Sequence, residues 1–297
     1  TNTSSTNLTV VLPPGSSSSG NDYLDAQPVT IGDYVWTDAN GNGLQDGGET
    51  GLANIKVVLY QTNHGAGTLT ALQTNYTAAN GAYSFTNLPN DFVVKFDLPA
   101  GYVFTTPDVG ADDKIDSDAL GGGQTAVFTL TSGQSTTNVD AGLYQNGTLY
   151  GHLYVDANGN GTQDGGEPAL TNVTVWITNS LGAVITTNTD ASGNWAVSVP
   201  PGNATAKVDT SDPDFTAQVP GAYAQTEGND PTTTPVTSGA SVNGGTDGYF
   251  VPYPAIVLNK RIVSGTPFTA AGQVIAYELI ATNTDRKSTR LNSSHRT

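Results

Sequence analysis

The sequence predicts an all-β protein made of tandem antiparallel β-sandwiches. Only 12% of the 297 residues are charged and 35 are glycine, so Thr, Ser, Asn and Gly supply much of the polar surface. These residue types favour strands and turns over helix interiors. Apolar residues also alternate with polar ones, as in Ile55, Val57 and Leu59, which is typical of a strand with one buried face. The third observation is an internal duplication, which predicts two similar sandwiches in series.

The segments of the chain are expected in the following order. Residues 1–27 resemble the closing strands of a repeat and are interpreted as the end of a preceding module with its linker. Two full repeats are expected at 28–145 and 146–252. A truncated module with two strands is expected at 253–284. The tail 285–297 is basic, unlike the rest, and resembles a translated sequencing adapter, so it is excluded from the fold.

The duplication is clearest in a twelve-residue segment. DANGNGLQDGGE at residues 38–49 recurs as DANGNGTQDGGE at residues 156–167, and the flanking strands keep the same register. Further on, ANGAYSF from Ala79 matches ASGNWAV from Ala191. Clusters of Gly, Asn and Pro lie between the strand patterns at short spacing, so about seven short strands are expected in each repeat, with no amphipathic helix.

The charge balance restricts the partners of the chain. It has 26 acidic and 10 basic residues, a net charge of -16, which repels nucleic acids and anionic lipid surfaces. Cysteine is absent, which excludes disulfides, thiolate catalysis and zinc–thiolate sites. No apolar run approaches the ~18 residues of a spanning helix, so no membrane insertion is expected. A surplus of carboxylates on a foldable chain favours a hard cation, Ca²⁺ above all.

The duplicated segment fits the calcium-loop pattern D-x-[DN]-x-[DN]-G-x₅-E in both copies. Oxygens at positions 1, 3, 5, 7, 9 and 12 of such a loop surround one ion, and the glycine at position 6 permits the sharp turn. The loop lies between strand patterns rather than between helices. The alternative is a plain Gly/Asn turn with incidental acids. The expected ligands, with the backbone carbonyl at position 7, are Asp38, Asn40, Asn42, Leu44, Asp46 and Glu49, then Asp156, Asn158, Asn160, Thr162, Asp164 and Glu167.

A second acidic cluster lies in the polar loop GADDKIDSD of the first repeat. Carboxylates this close repel one another unless a cation or solvent screens them. The cluster is therefore a candidate for a further calcium site, with a solvated loop as the alternative. Its counterpart in the second repeat has only Glu227 and Asp230, and Asp33 fits either a shared site or the surface. The four expected ligands are Asp112, Asp113, Asp116 and Asp118.

The sequence does not predict an enzyme. His64 lies in a turn, His152 occupies a strand position, and neither has a Ser, Cys or paired acid at a suggestive spacing. The aromatic residues at strand positions are expected to be core or sheet-face residues rather than a sugar platform. They are Trp36, Tyr83, Phe85, Trp176 and Trp195.

Several linked motifs resemble the B-type repeats of serine-aspartate-repeat surface adhesins, the SdrD B-like repeats, which are related to the Cna B-type modules of a collagen adhesin. They are IGDYVWTDANGNGLQDGGETGLANIKVVLY, AANGAYSFTNLPNDF, DVGADDKIDSD and VDAGLY. The resemblance covers Pro28 to Tyr144 well. It is weaker over Gly147 to Val251, because Val197 replaces a phenylalanine and the DDxxDSD loop is missing there. The module from Tyr253 resembles an immunoglobulin-like repeat of bacterial surface proteins.

The resemblance implies an immunoglobulin-like or transthyretin-like sandwich that binds several calcium ions and acts as a rigid extracellular spacer on a cell wall. Its expected partners are neighbouring repeats, while a host protein, matrix protein or glycan is bound by regions outside this segment. Accessory modules of a secreted polysaccharide-acting enzyme, or subunits of a surface lattice or filament, are the alternatives. The first strands of both repeats contain no lysine, so no isopeptide crosslink is expected there, and Lys260 is a candidate only in the truncated module.

Overall fold

The computed structural model describes residues 26–62, 67–252, 256–264, 271–272 and 276–283. Within these ranges the chain forms nineteen strands and one short helix, which confirms the all-β prediction. The expectations for most of the N-terminal segment, for His64 and for the basic tail lie outside the described residues.

The first repeat contains nine strands. They are β1 (Val29–Thr37), β2 (Lys56–Thr62), β3 (Leu69–Tyr76), β4 (Ala82–Asn87), β5 (Asn90–Phe96), β6 (Val103–Phe104), β7 (Phe128–Leu130), β8 (Ser135–Thr136) and β9 (Ala141–Tyr144). One sheet has the order β4-β1-β9-β6 with β8 beside β1, and the other has the order β3-β2-β5-β7. The ring of Tyr83 in one sheet meets the ring of Phe96 in the other edge-on at 5.6 Å, inside an apolar core.

The second repeat contains eight strands and the helix α1. The strands are β10 (Gly147–Val155), β11 (Thr174–Thr178), β12 (Val184–Asn188), β13 (Asn194–Val199), β14 (Gly202–Val208), β15 (Ala224–Glu227), β16 (Thr232–Val236) and β17 (Ser241–Phe250), and α1 is Pro213–Gln218. The sheets have the orders β13-β10-β17-β15 and β12-β11-β14-β16. Their inner faces meet in one core cluster that contains Leu153, Val175, Trp195 and Ala206.

Three details differ from the prediction. The repeats have nine and eight strands rather than about seven, partly because β6 and β8 are only two residues long. The strands β8 and β17 pair in parallel with β1 and β10, because each arrives after a crossover from the opposite sheet. The helix α1 is short, and its signal is local: Asp212 caps the helix and a proline follows it.

The turn before the fourth strand explains one shared motif. Gly81 and its counterpart Gly193 have φ of 87° and 79°, a left-handed conformation that glycine adopts at little cost. A Cβ atom would lie 2.3 Å from the carbonyl oxygen of Val35 at the first position, and 2.3 Å from that of Leu153 at the second. Both repeats therefore require glycine at this point.

A separate hairpin follows the second repeat. The strands β18 (Ile256–Ser264) and β19 (Ala276–Asn283) pair in an antiparallel manner. That they begin a further module stays a prediction. The Lys260 ammonium lies 3.9 Å from the ring centroid of Tyr277, a cation–π contact.

The chain divides into two compact units. The described parts of the first unit fall within residues 1–36, 50–98 and 107–142, and those of the second unit within 37–49, 99–106 and 143–297. The acidic twelve-residue segment at residues 38–49 therefore belongs to the second unit, although its sequence lies in the first repeat.

Candidate metal centres

The twelve-residue segment at residues 38–49, called loop 1 from here on, folds around the side chain of Asp38. This carboxylate is fully buried. Its Oδ1 accepts the backbone N–H groups of Gly41 at 2.7 Å and Asn42 at 3.3 Å, and its Oδ2 accepts that of Gly43 at 2.9 Å. The Thr105 hydroxyl donates to Oδ2 at 2.5 Å. Gly41 and Gly43 have φ of 71° and 84°, which lets the backbone turn its N–H groups inward.

The other side chains expected as ligands in loop 1 are held by hydrogen bonds within the loop. The Asn40 side-chain oxygen accepts the Asn42 N–H at 3.0 Å, and both asparagine amides donate to Asp46 Oδ2 at 2.7 and 2.8 Å. The Glu49 carboxylate closes the loop, accepting the N–H of Ala39 at 2.7 Å and that of Asp46 at 3.0 Å. Burial and the neighbouring acidic charges raise the pKa of Glu49. Loop 1 is therefore a preorganised coil of oxygen-bearing side chains.

The segment at residues 156–167, called loop 2, repeats this arrangement. Asp156 Oδ1 accepts the N–H of Gly159 at 2.6 Å, and both asparagine amides donate to Asp164 Oδ2 at 2.7 and 2.8 Å. The carboxylate of Glu167 accepts the N–H groups of Ala157 at 2.8 Å and Asp164 at 3.0 Å. Although burial raises it, the pKa of Asp156 lies below its usual value because the Thr226 side chain and the backbone N–H groups of Gly161, Gly159 and Asn160 stabilise the ionised carboxylate. The two loops therefore share their internal hydrogen bonds as well as their sequence.

The donor set of each loop fits a hard divalent cation. It offers three carboxylates, two amide oxygens and a backbone carbonyl, which are the ligand types that Ca²⁺ prefers. Among the described residues, however, no group of three or more His, Cys, Asp or Glu side chains is arranged to hold a metal ion. In loop 1 the reason is visible, because Asp38 and Glu49 are turned toward backbone N–H groups. The fit therefore rests on donor chemistry and loop geometry, and calcium binding stays a prediction.

The four acids expected as ligands in the second acidic cluster differ in their exposure to solvent. Asp112 is exposed, and Asp113 is exposed and accepts the Asn138 amide. Asp116, by contrast, is only 4% exposed. The Asp118 carboxylate accepts the N–H of Asp140 at 2.6 Å, which brings in an acid from the end of the repeat.

Two carboxylate oxygens in this cluster are buried without hydrogen-bond partners. They are Asp116 Oδ1 and Asp140 Oδ2, and Asp140 is 1% exposed. Burial, reinforced by neighbouring carboxylates, raises the pKa of Asp118 to about 7 and that of Asp140 to about 9. Asp33 contributes to the shift at Asp140, and its own pKa is raised by burial. A cluster of this kind carries uncompensated charge when it is ionised.

Asp140 and Thr105 were missed by sequence reasoning. The VDAGLY motif that contains Asp140 contributes only to the family resemblance, and Thr105 lies in a segment without a recognisable motif. Both are distant in sequence from the groups they touch, so no local spacing could identify them.

The corresponding acidic group of the second repeat has fewer carboxylates, and these have different hydrogen-bond partners. The Tyr154 hydroxyl donates to Glu227 at 2.7 Å, Val208 N–H donates to Asp230 at 2.8 Å, and the Gln225 amide donates to Asp247 at 2.8 Å. Burial, with the charge of Asp230, raises the pKa of Asp247 to about 7. Each of these acids therefore has a hydrogen-bond donor from the protein.

The histidine and tryptophan positions agree with a structural role. His152 Nδ1 lies 3.0 Å from Asn194 Oδ1, and its ring stacks on Tyr154. Trp36 and Trp195 are buried in the cores. Trp176 is a sheet-face residue, 40% exposed, with the Lys207 ammonium 5.9 Å from its ring centroid. Among the described residues, no helix has the length and apolar character needed to cross a membrane.

The first repeat is similar to a known family of domains. Residues 29–143 match the SdrD B-like domain family. The serine-aspartate repeat-containing protein C of Staphylococcus aureus strain Newman is 37% identical over 175 residues, which are 58% of this chain and 17% of that relative. The chain thus spans less than a fifth of the curated relatives it matches. The relatives that match are structural domains of adhesins rather than enzymes.

Two solved structures share a more distant likeness. A streptococcal ancillary pilin is 15% identical, with a TM-score of 0.31 over 75% of this chain and 63% of the pilin. The TIE protein of Bacillus anthracis is 14% identical, with a TM-score of 0.30 over 87% of this chain and 44% of that protein.

Proposed function

We propose, from the premise that residues 29–143 are an SdrD B-like domain, that the two repeats are calcium-stabilised structural spacers of a cell-surface adhesin. The observation that carries the proposal is the pair of loops. Loop 1 and loop 2 present the same oxygen-bearing side chains in the same hydrogen-bond pattern. A turn that served only to connect strands would have no need of six matching oxygen donors in both copies.

In loop 1 the ion would be held by Asp38, Asn40, Asn42, Asp46, Glu49 and the carbonyl of Leu44, and in loop 2 by their counterparts. A bound calcium ion supplies a double positive charge that offsets the carboxylates of the loop. Because it binds only the folded loop, it stabilises the fold by about 2.7 kcal/mol per site when calcium is a hundredfold above Kd. Extracellular calcium is high enough for such sites to be filled.

A further calcium site in the first repeat is part of the proposal. Its ligands would come from Asp116, Asp118 and Asp140, with Asp33 beside them and Asp113 at the rim. The unpartnered oxygens of Asp116 and Asp140 support this assignment, because buried carboxylates normally have a hydrogen-bond or cation partner. Asp112 is exposed and belongs to the surface of the same loop.

The partners and location follow from the same role. Neighbouring repeats of the longer chain would be the direct partners, and an adhesive ligand would be bound by other regions. The match to a serine-aspartate repeat protein of Staphylococcus aureus supports a place on the outside of the cell. The net charge of -16 favours repeats that are separated and solvated unless cations offset it.

Thermal melting of the full chain tests the proposal. Calcium at millimolar concentration is expected to raise the Tm of the chelator-treated protein by several degrees, whereas the double variant Glu49→Ala/Glu167→Ala loses most of this gain. Asp97→Asn is the matched control, since Asp97 is a half-exposed acid that pairs with Lys56 away from the loops. A calcium response equal in wild type and double variant would reject the loops as the sites.

A further inference from the structure

The backbone of loop 1 lies against two turns of the second repeat inside the second unit. The Ser238 N–H donates to the carbonyl oxygen of Ala39 at 2.9 Å. A Cβ atom on Gly41 would lie 3.0 Å from the carbonyl oxygen of Pro201, and one on Gly202 would lie 3.3 Å from that of Asn40. The approach is thus a close backbone contact that side chains at these glycines would obstruct.

The turn that carries Ser238 is itself anchored. Gln145 N–H donates to the Ser238 hydroxyl at 2.8 Å, and Gly239 N–H donates to the Gln145 carbonyl at 3.1 Å. On the other side, Thr148 N–H donates to the Ala240 carbonyl at 2.8 Å. The surface that receives loop 1 is therefore fixed to strand β10 of the second repeat.

Loop 2 differs from loop 1 in its surroundings. Ala39 is half-buried, whereas its counterpart Ala157 is exposed. The close contact of loop 2 is made further along, where a Cβ on Gly161 would lie 2.9 Å from the carbonyl oxygen of Thr226 in the same repeat. The two loops share their internal hydrogen bonds but not their docking surface.

One residue links the ion-binding side of loop 1 to this docking surface. The N–H of Ala39 donates to Glu49 Oε1 at 2.7 Å, while its carbonyl accepts the N–H of Ser238. The peptide groups of Ala39 are therefore fixed at one end by the last ligand of the loop and at the other end by the second repeat.

We infer that loop 1 is a calcium-dependent docking element whose partner is the surface formed by residues 200–202 and 237–240 of the second repeat. This rests on the proposed function. An ion that fixes Glu49 also fixes Ala39, so binding at loop 1 strengthens the Ala39–Ser238 hydrogen bond. Binding at loop 2 has no such path and leaves that hydrogen bond unchanged.

Residue-resolved amide hydrogen exchange of the full chain tests this inference. Calcium is expected to slow exchange of the Ser238 N–H by roughly tenfold or more relative to chelated protein, in wild type and in Glu167→Ala. In Glu49→Ala the calcium effect at Ser238 should fall below about twofold. The Ile177 amide in the core reports any general change in stability.

The outcomes separate this inference from the proposed function. If calorimetry shows calcium binding at loop 1 but Ser238 exchange does not respond, the docking inference alone is wrong. It is also wrong if Glu167→Ala removes the protection of Ser238 as fully as Glu49→Ala does. If the wild-type chain binds no calcium at all, the proposed function and the inference both fail.

Discussion

Asp118 and Asp140 are joined by two hydrogen bonds in opposite directions. The Asp118 N–H donates to the carbonyl of Asp140 at 2.9 Å, and the Asp140 N–H donates to the carboxylate of Asp118 at 2.6 Å. The backbone thus holds two acidic side chains together near the end of the first repeat. Since Asp140 Oδ2 has no hydrogen-bond partner, the arrangement is unfavourable when both acids are ionised, and a cation would relieve it.

The first prediction concerns pH in calcium-free buffer. The pKa values of Asp118 and Asp140 are raised to about 7 and about 9, so the unfolded chain releases these protons at lower pH than the folded chain does. Their contribution to stability is fully present below pH ~4 and is lost as pH rises through 7 to 9. Thermal melts between pH 4 and pH 9 should show this fall, and Asp118→Asn/Asp140→Asn should flatten it. Wild-type stability that stayed constant or rose across this interval would contradict the prediction.

The second prediction concerns Asp140→Asn. The asparagine oxygen can still accept the Tyr34 N–H, which lies 3.0 Å from Asp140 Oδ1, and its neutral amide removes the cost of ionising a buried carboxyl group whose pKa is raised to about 9. We expect the calcium-free protein to gain about 1–2 kcal/mol of unfolding free energy, while calcium stabilises it less than wild type. Urea denaturation with and without calcium measures both effects. A variant less stable than wild type without calcium would show that Asp140 is ionised and satisfied by the protein alone.

The third prediction concerns the hydroxyl beneath loop 1. Thr105 is buried and donates to the carboxylate of Asp38. Thr105→Val leaves a buried carboxylate short of one donor, so we expect a loss of about 1.5–3 kcal/mol and weaker calcium binding at loop 1 only. Thr105→Ser, which keeps the hydroxyl, should restore most of both. Thr226→Val is the matched change for loop 2, because the Thr226 side chain lowers the pKa of Asp156. Equal loss of affinity at both loops from Thr105→Val would be inconsistent with this geometry.

Much of the fold could be predicted because its signals are local. The alternation of Ile55, Val57 and Leu59 predicts strand β2, and the Gly81 and Gly193 turns are visible in the duplicated motif. The loops could also be predicted, since all their oxygen donors lie within twelve residues. Their internal hydrogen bonds follow from the same short spacing.

The rest depends on contacts between distant parts of the chain. Asp140, which precedes strand β9, meets Asp118 only because the loop between β6 and β7 returns beside it, and Thr105 reaches Asp38 from a different segment. The assignment of loop 1 to the second unit likewise has no local signal, because loops 1 and 2 are nearly identical in sequence but differ in what lies against them. Long-range packing, which residue spacing does not encode, decides these features.

Calorimetric titration of calcium into the chelator-treated full chain, beside Glu49→Ala/Glu167→Ala, tests the central claim most directly. We expect at least three saturable sites in wild type, with the two loop sites lost in the double variant and binding at the Asp116–Asp118–Asp140 cluster retained. Absence of calcium binding in wild type, or an unchanged number of sites in the double variant, would contradict it.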